Sequence, residues 1–227
     1  MAYNLGIYDN LLQHGVEFSD KTVRSLRMVG TNFPVSITER EFDFISKIVK
    51  ENNCSSGYEL ATAFGISSIA IAIGMQSNPE ANLISVDAYI EEFDKSPYSY
   101  RGKAKEDVSR HENPMGLQTA QNLRDNLGLQ NIIKYHIGFS PSDIGNIIGN
   151  NKLDVVFIDA AHFDENIIMD LTAIENNFKP GCILLMHDAM CFGEVTINKI
   201  KSLGFNNIPT GIADNEGYQL RYYKLNR

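Results

Sequence analysis

Apolar residues along this chain repeat with two periods, and the two alternate. Short runs rich in β-branched and aliphatic residues occur at Gly57–Ala61, Leu83–Asp87, Ile132–Ile137, Leu153–Asp159 and Cys182–Met186. Between them lie helical patterns. Phe42, Ile45, Ile48 and Val49 share one face of a helix ending near Asn53, and Ile66–Met75 is apolar on most faces. Gly116–Leu127 reads as a helix closed by Gly128, Ile167, Ile168, Leu171 and Ile174 form another stripe, and Val195–Leu203 a last one before Gly204. Strands alternating with helices predict a parallel sheet covered on both faces. The Leu153–Asp159 run is almost continuously apolar, as expected of a central strand buried from both sides. Phe205–Ile208 and Tyr218–Lys224 add a C-terminal antiparallel hairpin.

Local signals sharpen this outline. Thr38 and Glu41 have the spacing of a capping box, in which each side chain bonds the other's backbone amide. Asp164 is placed to cap the helix that follows it, Ser140-Pro141 to open a short helix, and Pro180-Gly181 to turn into the fifth strand. Residues 1–37 have no clear period and read as a cap, a lid or an oligomer contact. Residues 38–227 form the main body of what is expected to be a single domain. The stretch from Ala88 to Met115 is longer than ordinary connections, which marks it as functional or disordered. Its Tyr89, Tyr98 and Tyr100, with Arg101, Lys103 and Lys105, suit either a substrate clamp or a solvated loop.

In doubly wound sheets, ligands bind beyond the carboxyl ends of the strands, where loops and helix N-termini converge. Those ends carry Glu59–Gly65, Asp87, Gly138–Ser140, Asp159–His162 and His187-Asp188. Gly65 offers a positive φ or a close approach of backbone. Asp87 stands where a carboxylate accepts ribose hydroxyls in nucleotide sites, and a loop cap is its bland alternative.

A net charge of -8 argues against a nucleic-acid partner, which would call for a basic patch. Three cysteines without CxxC spacing point to neither a disulfide framework nor a zinc site. No apolar run approaches the ~20 residues of a membrane span. With no signal-peptide pattern, a cytoplasmic protein is expected, and a homodimer is compatible with such a fold.

The run Tyr58–Ala70, with Asp87, resembles the first motif and the ribose-binding acid of class I S-adenosylmethionine-dependent methyltransferases. Asp154–His162 and Lys179–Asp188 resemble the branch that contains many small-molecule and sugar O-methyltransferases. The resemblance covers about residues 40–225. It implies a Rossmann-like sheet of seven mostly parallel strands, S-adenosylmethionine as cofactor, and a small-molecule or saccharide hydroxyl as acceptor. It implies that Glu59, Ala61 and Gly65 face the methionine portion, that Asp87 binds ribose, and that Ser140 lies near adenine. Ala61 and Ala63 stand where glycine is commonest in that motif. Some members of the branch hold a divalent metal, and by this resemblance Asp159 and Asp188 would ligate Mg²⁺ with His162 as general base. His187 stands where a second acidic ligand often precedes Asp188, and imidazole is a poor Mg²⁺ ligand. Each residue also has a structural reading: Asp159 as a helix-loop cap, Asp188 as a turn former, Ser140 as a helix N-cap. Two rival functions remain open: a non-catalytic binding protein on the same fold, and an NAD-dependent oxidoreductase, disfavoured because no G-x-G-x-x-G follows the first strand.

Overall fold

The computed structural model describes residues 11–18, 26–28, 37–89, 115–160, 163–212 and 220–226. A two-stranded antiparallel ribbon, β1 (Val16–Phe18) and β2 (Leu26–Met28), precedes helix α1 (Glu39–Glu51). Then follow β3 (Ser56–Leu60), α2 (Ile66–Met75), β4 (Asn82–Asp87), α3 (Met115–Asn126), β5 (Ile133–Ile137) and α4 (Ile144–Ile148). The rest comprises β6 (Leu153–Ile158), α5 (Asp164–Ile174), β7 (Phe178–Met186), α6 (Glu194–Ser202), β8 (Phe205–Ile208) and β9 (Arg221–Leu225).

Seven strands form one sheet in the order β5-β4-β3-β6-β7-β9-β8, parallel from β5 to β7, with β9 antiparallel to both its neighbours. The doubly wound, mostly parallel sheet and the C-terminal antiparallel pair agree with the pattern in the sequence. Alternation along the central strands fills both layers. Gly57, Leu83, Val155, Phe157, Ile183 and Leu185 face α1–α3, while Tyr58, Leu60, Ile84, Val86, Val156, Ile158 and Leu184 face α4–α6. Leu11, Val16, Leu26 and Ile37 are buried in the first of these clusters, so the described part of the N-terminal segment is built into the core.

Three local expectations are corrected. Pro180-Gly181 lies inside β7, at a register shift against β6, where Gly181 takes a φ of +78°. Asp164 does not cap its own helix: the residue at that N-cap is Phe163. Its carboxylate instead accepts from Gly193 N at 2.8 Å and Thr196 Oγ1 at 2.6 Å, so it caps α6, whose own N-cap glycine has no side chain to offer. Ser140 caps nothing either; α4 starts after Asp143, and the Ser140 hydroxyl donates to Asp170 Oδ1 on α5. The capping box of α1 is present: Thr38 N donates to Glu41 Oε2 at 2.8 Å and Glu41 N to Thr38 Oγ1 at 3.2 Å.

Candidate active site

The register brings the ends of five adjacent parallel strands to one edge, pairing Leu60 with Val86 and Ile158, Asp87 with Ile137, and Ile158 with Met186. Beyond Leu60 the chain turns sharply before α2, and three residues of that turn are left-handed: Ala61 at φ +74°, Ala63 at +46° and Gly65 at +82°. The turn therefore keeps glycine-type backbone at two alanines, a conformation that costs an L-residue about 1 kcal/mol or more. Ala61 N donates to Val86 O, and Ala63 N to Asp87 Oδ2, both at 2.8 Å. The other oxygen of Asp87 accepts from Tyr89 N at 2.7 Å. Asp87 thus fastens the 61–65 turn to the end of β4, with two of a carboxylate's roughly four acceptor positions engaged by backbone. Gly65 meets both requirements foreseen for it: besides its φ, a Cβ there would lie 2.7 Å from Tyr135 Oη and 2.9 Å from Ala120 Cβ.

Glu59 lies behind the turn. It has no exposed surface, and its oxygens accept from Ser67 Oγ at 2.5 Å and from the Ser68 and Ser85 hydroxyls, with Ser85 also bonded to Thr62 Oγ1. Burial pushes its carboxyl up to about 7, against the three hydroxyls that favour the ionised form. This carboxylate braces the turn from below, held by hydroxyls from α2 and β4.

The second cluster forms where β6 and β7 end. His187 Nδ1 lies 3.2 Å from Asp159 Oδ1 and 3.6 Å from Asp188 Oδ1, and its Nε2 lies 3.4 Å from Glu41 Oε2. Asp188 is itself left-handed, with φ +51°. That bend returns its carboxylate to the side on which His187 stands, whereas successive residues of a continuing strand would point oppositely. His187 is 4% exposed and Glu41 fully buried. Burial alone would disfavour an imidazolium, but Asp159 and Glu41 outweigh it and hold the ring's proton affinity well above that of an ordinary histidine. For Mg²⁺ the donor set is wrong: one corner is an imidazole nitrogen, which a hard cation disfavours.

Of the residues singled out in the sequence, the structure joins Asp87 to the 61–65 turn and Asp159 to Asp188. It sets Glu59 beneath the turn and ties Ser140 to Asp170, a buried acid that desolvation raises to about 6. His162 lies outside the described residues, as do Tyr98, Tyr100, Arg101, Lys103 and Lys105. Tyr89 is packed rather than solvated: it is 7% exposed, and its ring lies 3.2 Å from where a Gly116 Cβ would sit. Glu41 was foreseen only as half of a capping box. Its second partner, 146 positions away, leaves no local trace in the sequence.

Strand order, parallel register and the turn after β3 define the class I methyltransferase architecture. The methyltransferase-domain family model matches residues 59–189 of the 227, and the chain belongs to that family. No curated protein matches the sequence. Among solved structures, an O-methyltransferase from Bacillus cereus in complex with SAH is similar at 12% identity and TM-score 0.60, over 85% of this chain and 83% of that one. TomG, an O-methyltransferase from Streptomyces achromogenes solved with SAM and involved in tomaymycin synthesis, is similar at 13% identity and TM-score 0.60, over 85% and 82%. A methyltransferase from Geobacter sulfurreducens is similar at 13% identity and TM-score 0.60, over 86% and 83%. At such identities the likeness speaks for the fold.

Proposed function

We propose that this methyltransferase takes its methyl group from S-adenosylmethionine and delivers it to a hydroxyl of a small molecule or saccharide. The observation that carries this reading is the Asp87-fastened turn, which keeps three left-handed residues at the first strand end although two of them are alanines. Strained backbone of this kind persists where the surroundings impose it, and it clusters at ligand sites. The SAM and SAH in the B. cereus and S. achromogenes structures agree with that donor.

In this reading the sulfonium supplies an electrophilic methyl group: the acceptor oxygen forms the new C–O bond as the C–S bond breaks, and S-adenosylhomocysteine leaves. Asp87 accepts from the ribose hydroxyls, and the 61–65 backbone follows the methionine portion. Glu59 keeps the turn in shape without touching the ligand, and Ser140 stands at the adenine end. His162 takes the acceptor's proton, and Asp159, at the end of β6, serves the same step. Holding the oxygen in line with the methyl group supplies much of the rate, as in other displacements between bound partners.

Calorimetry with S-adenosylmethionine and S-adenosylhomocysteine tests the donor. The expected result is stoichiometric binding of both that is lost in Asp87→Ala. Full affinity in Asp87→Ala refutes the ribose assignment, and binding of neither compound by the wild type refutes the donor.

A further inference from the structure

Glu59 is a carboxylate sealed inside the fold without a cation. Among the described residues its hydrogen bonds come from three hydroxyls, those of Ser67, Ser68 and Ser85, and no basic side chain pairs with it. A buried anion held by neutral donors alone is costly, and such a group tends to take up a proton instead. The charged and titratable groups around it do not change that balance. Asp159 at the end of β6 adds a like charge, and the phenols of Tyr89 and Tyr135 stand on the side of β4 and β5. Arg124 on α3 lies 5.5 Å over the ring of Tyr135 and pairs with Asp125 at 2.7 Å. Asp87 is across the turn on Ala63 N, and His187 is engaged by Asp159 and by Glu41 of α1. Neither cation is directed at Glu59.

Hydrogen-bond directions tie this carboxyl to the turn above it. When Glu59 is ionised, all three serine hydroxyls donate to it. Ser85 Oγ is then left only to accept, so Thr62 Oγ1, 2.5 Å away, donates to Ser85. A proton on Glu59 must find an acceptor among the same oxygens, which reverses at least one of these bonds. Along the Ser85 branch the reversal reaches Thr62, which lies between left-handed Ala61 and Ala63. Tyr89 Oη and Tyr135 Oη are buried beside Thr62 and Ser68 without a hydrogen bond, so they can follow either direction.

We propose that Glu59 is a positioning residue that exchanges its proton for the positive charge of the donor. The inference rests on S-adenosylmethionine as that donor, seated on the 61–65 turn. S-adenosylmethionine carries a sulfonium and an ammonium against one carboxylate, whereas S-adenosylhomocysteine has lost the sulfonium and is neutral overall. A cation above the turn favours the ionised carboxyl below it, so a protonated chain gives its proton to the buffer as the donor binds. Burial pushes the Glu59 carboxyl up to about 7, which sets the range. Below that pH the donor's affinity rises by up to about tenfold per pH unit, the limit for one displaced proton, and above it the affinity levels off. The neutral product gains less from the same carboxylate, which favours its exchange for fresh donor.

Donor binding as such reads the function above, whereas its proton balance reads this proposal, so either can fail alone. The wild-type protein is titrated calorimetrically with S-adenosylmethionine between about pH 5.5 and 7.5, in paired buffers of different ionisation enthalpy. The expected result is release of about half a proton or more per donor at pH 6.5, with affinity rising along the range. Glu59→Gln keeps the size of the side chain but cannot ionise, and it loses that release. Asp170, which also titrates in this range, is untouched by the substitution. Ser67→Ala withdraws one hydroxyl from the ionised form, so the midpoint of the affinity profile moves to higher pH, a readout that stands where Glu59→Gln does not fold. S-adenosylhomocysteine releases fewer protons than S-adenosylmethionine. Donor binding by the wild type without proton release overturns the proposal. So does the same release in Glu59→Gln, an unmoved midpoint in Ser67→Ala, or equal release by the two compounds.

Discussion

Substituting Gly65 by alanine tests how closely the first turn is built against its surroundings. Two separable penalties apply. At φ +82° an L-residue is left-handed, which costs about 1–2 kcal/mol. The new Cβ would also lie 2.7 Å from Tyr135 Oη and 2.9 Å from Ala120 Cβ, an overpacking worth about 1–3 kcal/mol. Two other glycines isolate these terms. Gly128 has φ +71° with nothing within 4 Å, so Gly128→Ala carries the conformational penalty alone. Gly57 sits in β3, and its Cβ would meet Met75 Cε at 2.7 Å and Leu83 Cδ1 at 2.9 Å, so Gly57→Ala carries packing alone, softened by a flexible methionine. An alanine also restricts the unfolded chain, which returns about 0.4–1 kcal/mol at every site. The net expectation is a loss of about 1 kcal/mol for Gly128→Ala and about 2–4 for Gly65→Ala. For a chain of this size, each kcal/mol lowers Tm by roughly 2–4 °C. Differential scanning calorimetry of the three variants measures this directly. Adding Tyr135→Phe to Gly65→Ala removes the atom nearest the new methyl group and recovers part of the loss. Equal Tm values for Gly65→Ala and Gly128→Ala would refute the close approach of α3 to the turn, and with it the view that the turn is held rigidly for a ligand.

Glu59 ties stability to pH. Its carboxyl titrates near 7 in the folded chain against 4.5 when exposed, so the folded state holds the proton more tightly. The resulting stabilisation is complete below about pH 4.5 and lost as pH rises towards 7, about 3 kcal/mol in all. Glu59→Gln flattens that decline, and parallel Tm-versus-pH curves for variant and wild type between pH 5 and 8 would contradict the assignment. His162→Ala is expected to reduce turnover while donor affinity stays near the wild-type value; unchanged turnover removes it from the mechanism. Asp170→Ala releases the Ser140 hydroxyl and leaves it without its partner, so donor affinity falls more than stability alone accounts for. Calorimetry at a temperature where both proteins are folded checks this, and equal affinities would detach Ser140 from the adenine end.

The sheet was legible because its strands are buried from both faces: continuous apolar runs such as Leu153–Ile158 and Ile183–Met186 leave little room for another reading. The strand ends were legible for the same reason, since a carboxylate that closes an apolar run, as Asp87 and Asp159 do, marks where chain leaves the core. What the side chains do there depends on partners that sequence spacing does not encode. Glu59 looks like a ligand-facing acid until Ser67, Ser68 and Ser85 close around it from α2 and β4. Asp164 reads as a cap for its own helix, yet α6, beginning at a glycine with no side-chain acceptor, claims it instead. Ser140 has the local look of a helix start, but its hydroxyl goes to Asp170, 30 positions on. In each case a short polar side chain had a good local option and took a distant one that a buried or unsatisfied group made more favourable. Glu41 did both: it completes the Thr38 capping box and meets His187 with the same oxygen. The His187-for-acid difference was visible in the sequence, but its partner was not, because Glu41 lies 146 positions away and only the fold sets it against the second ring nitrogen.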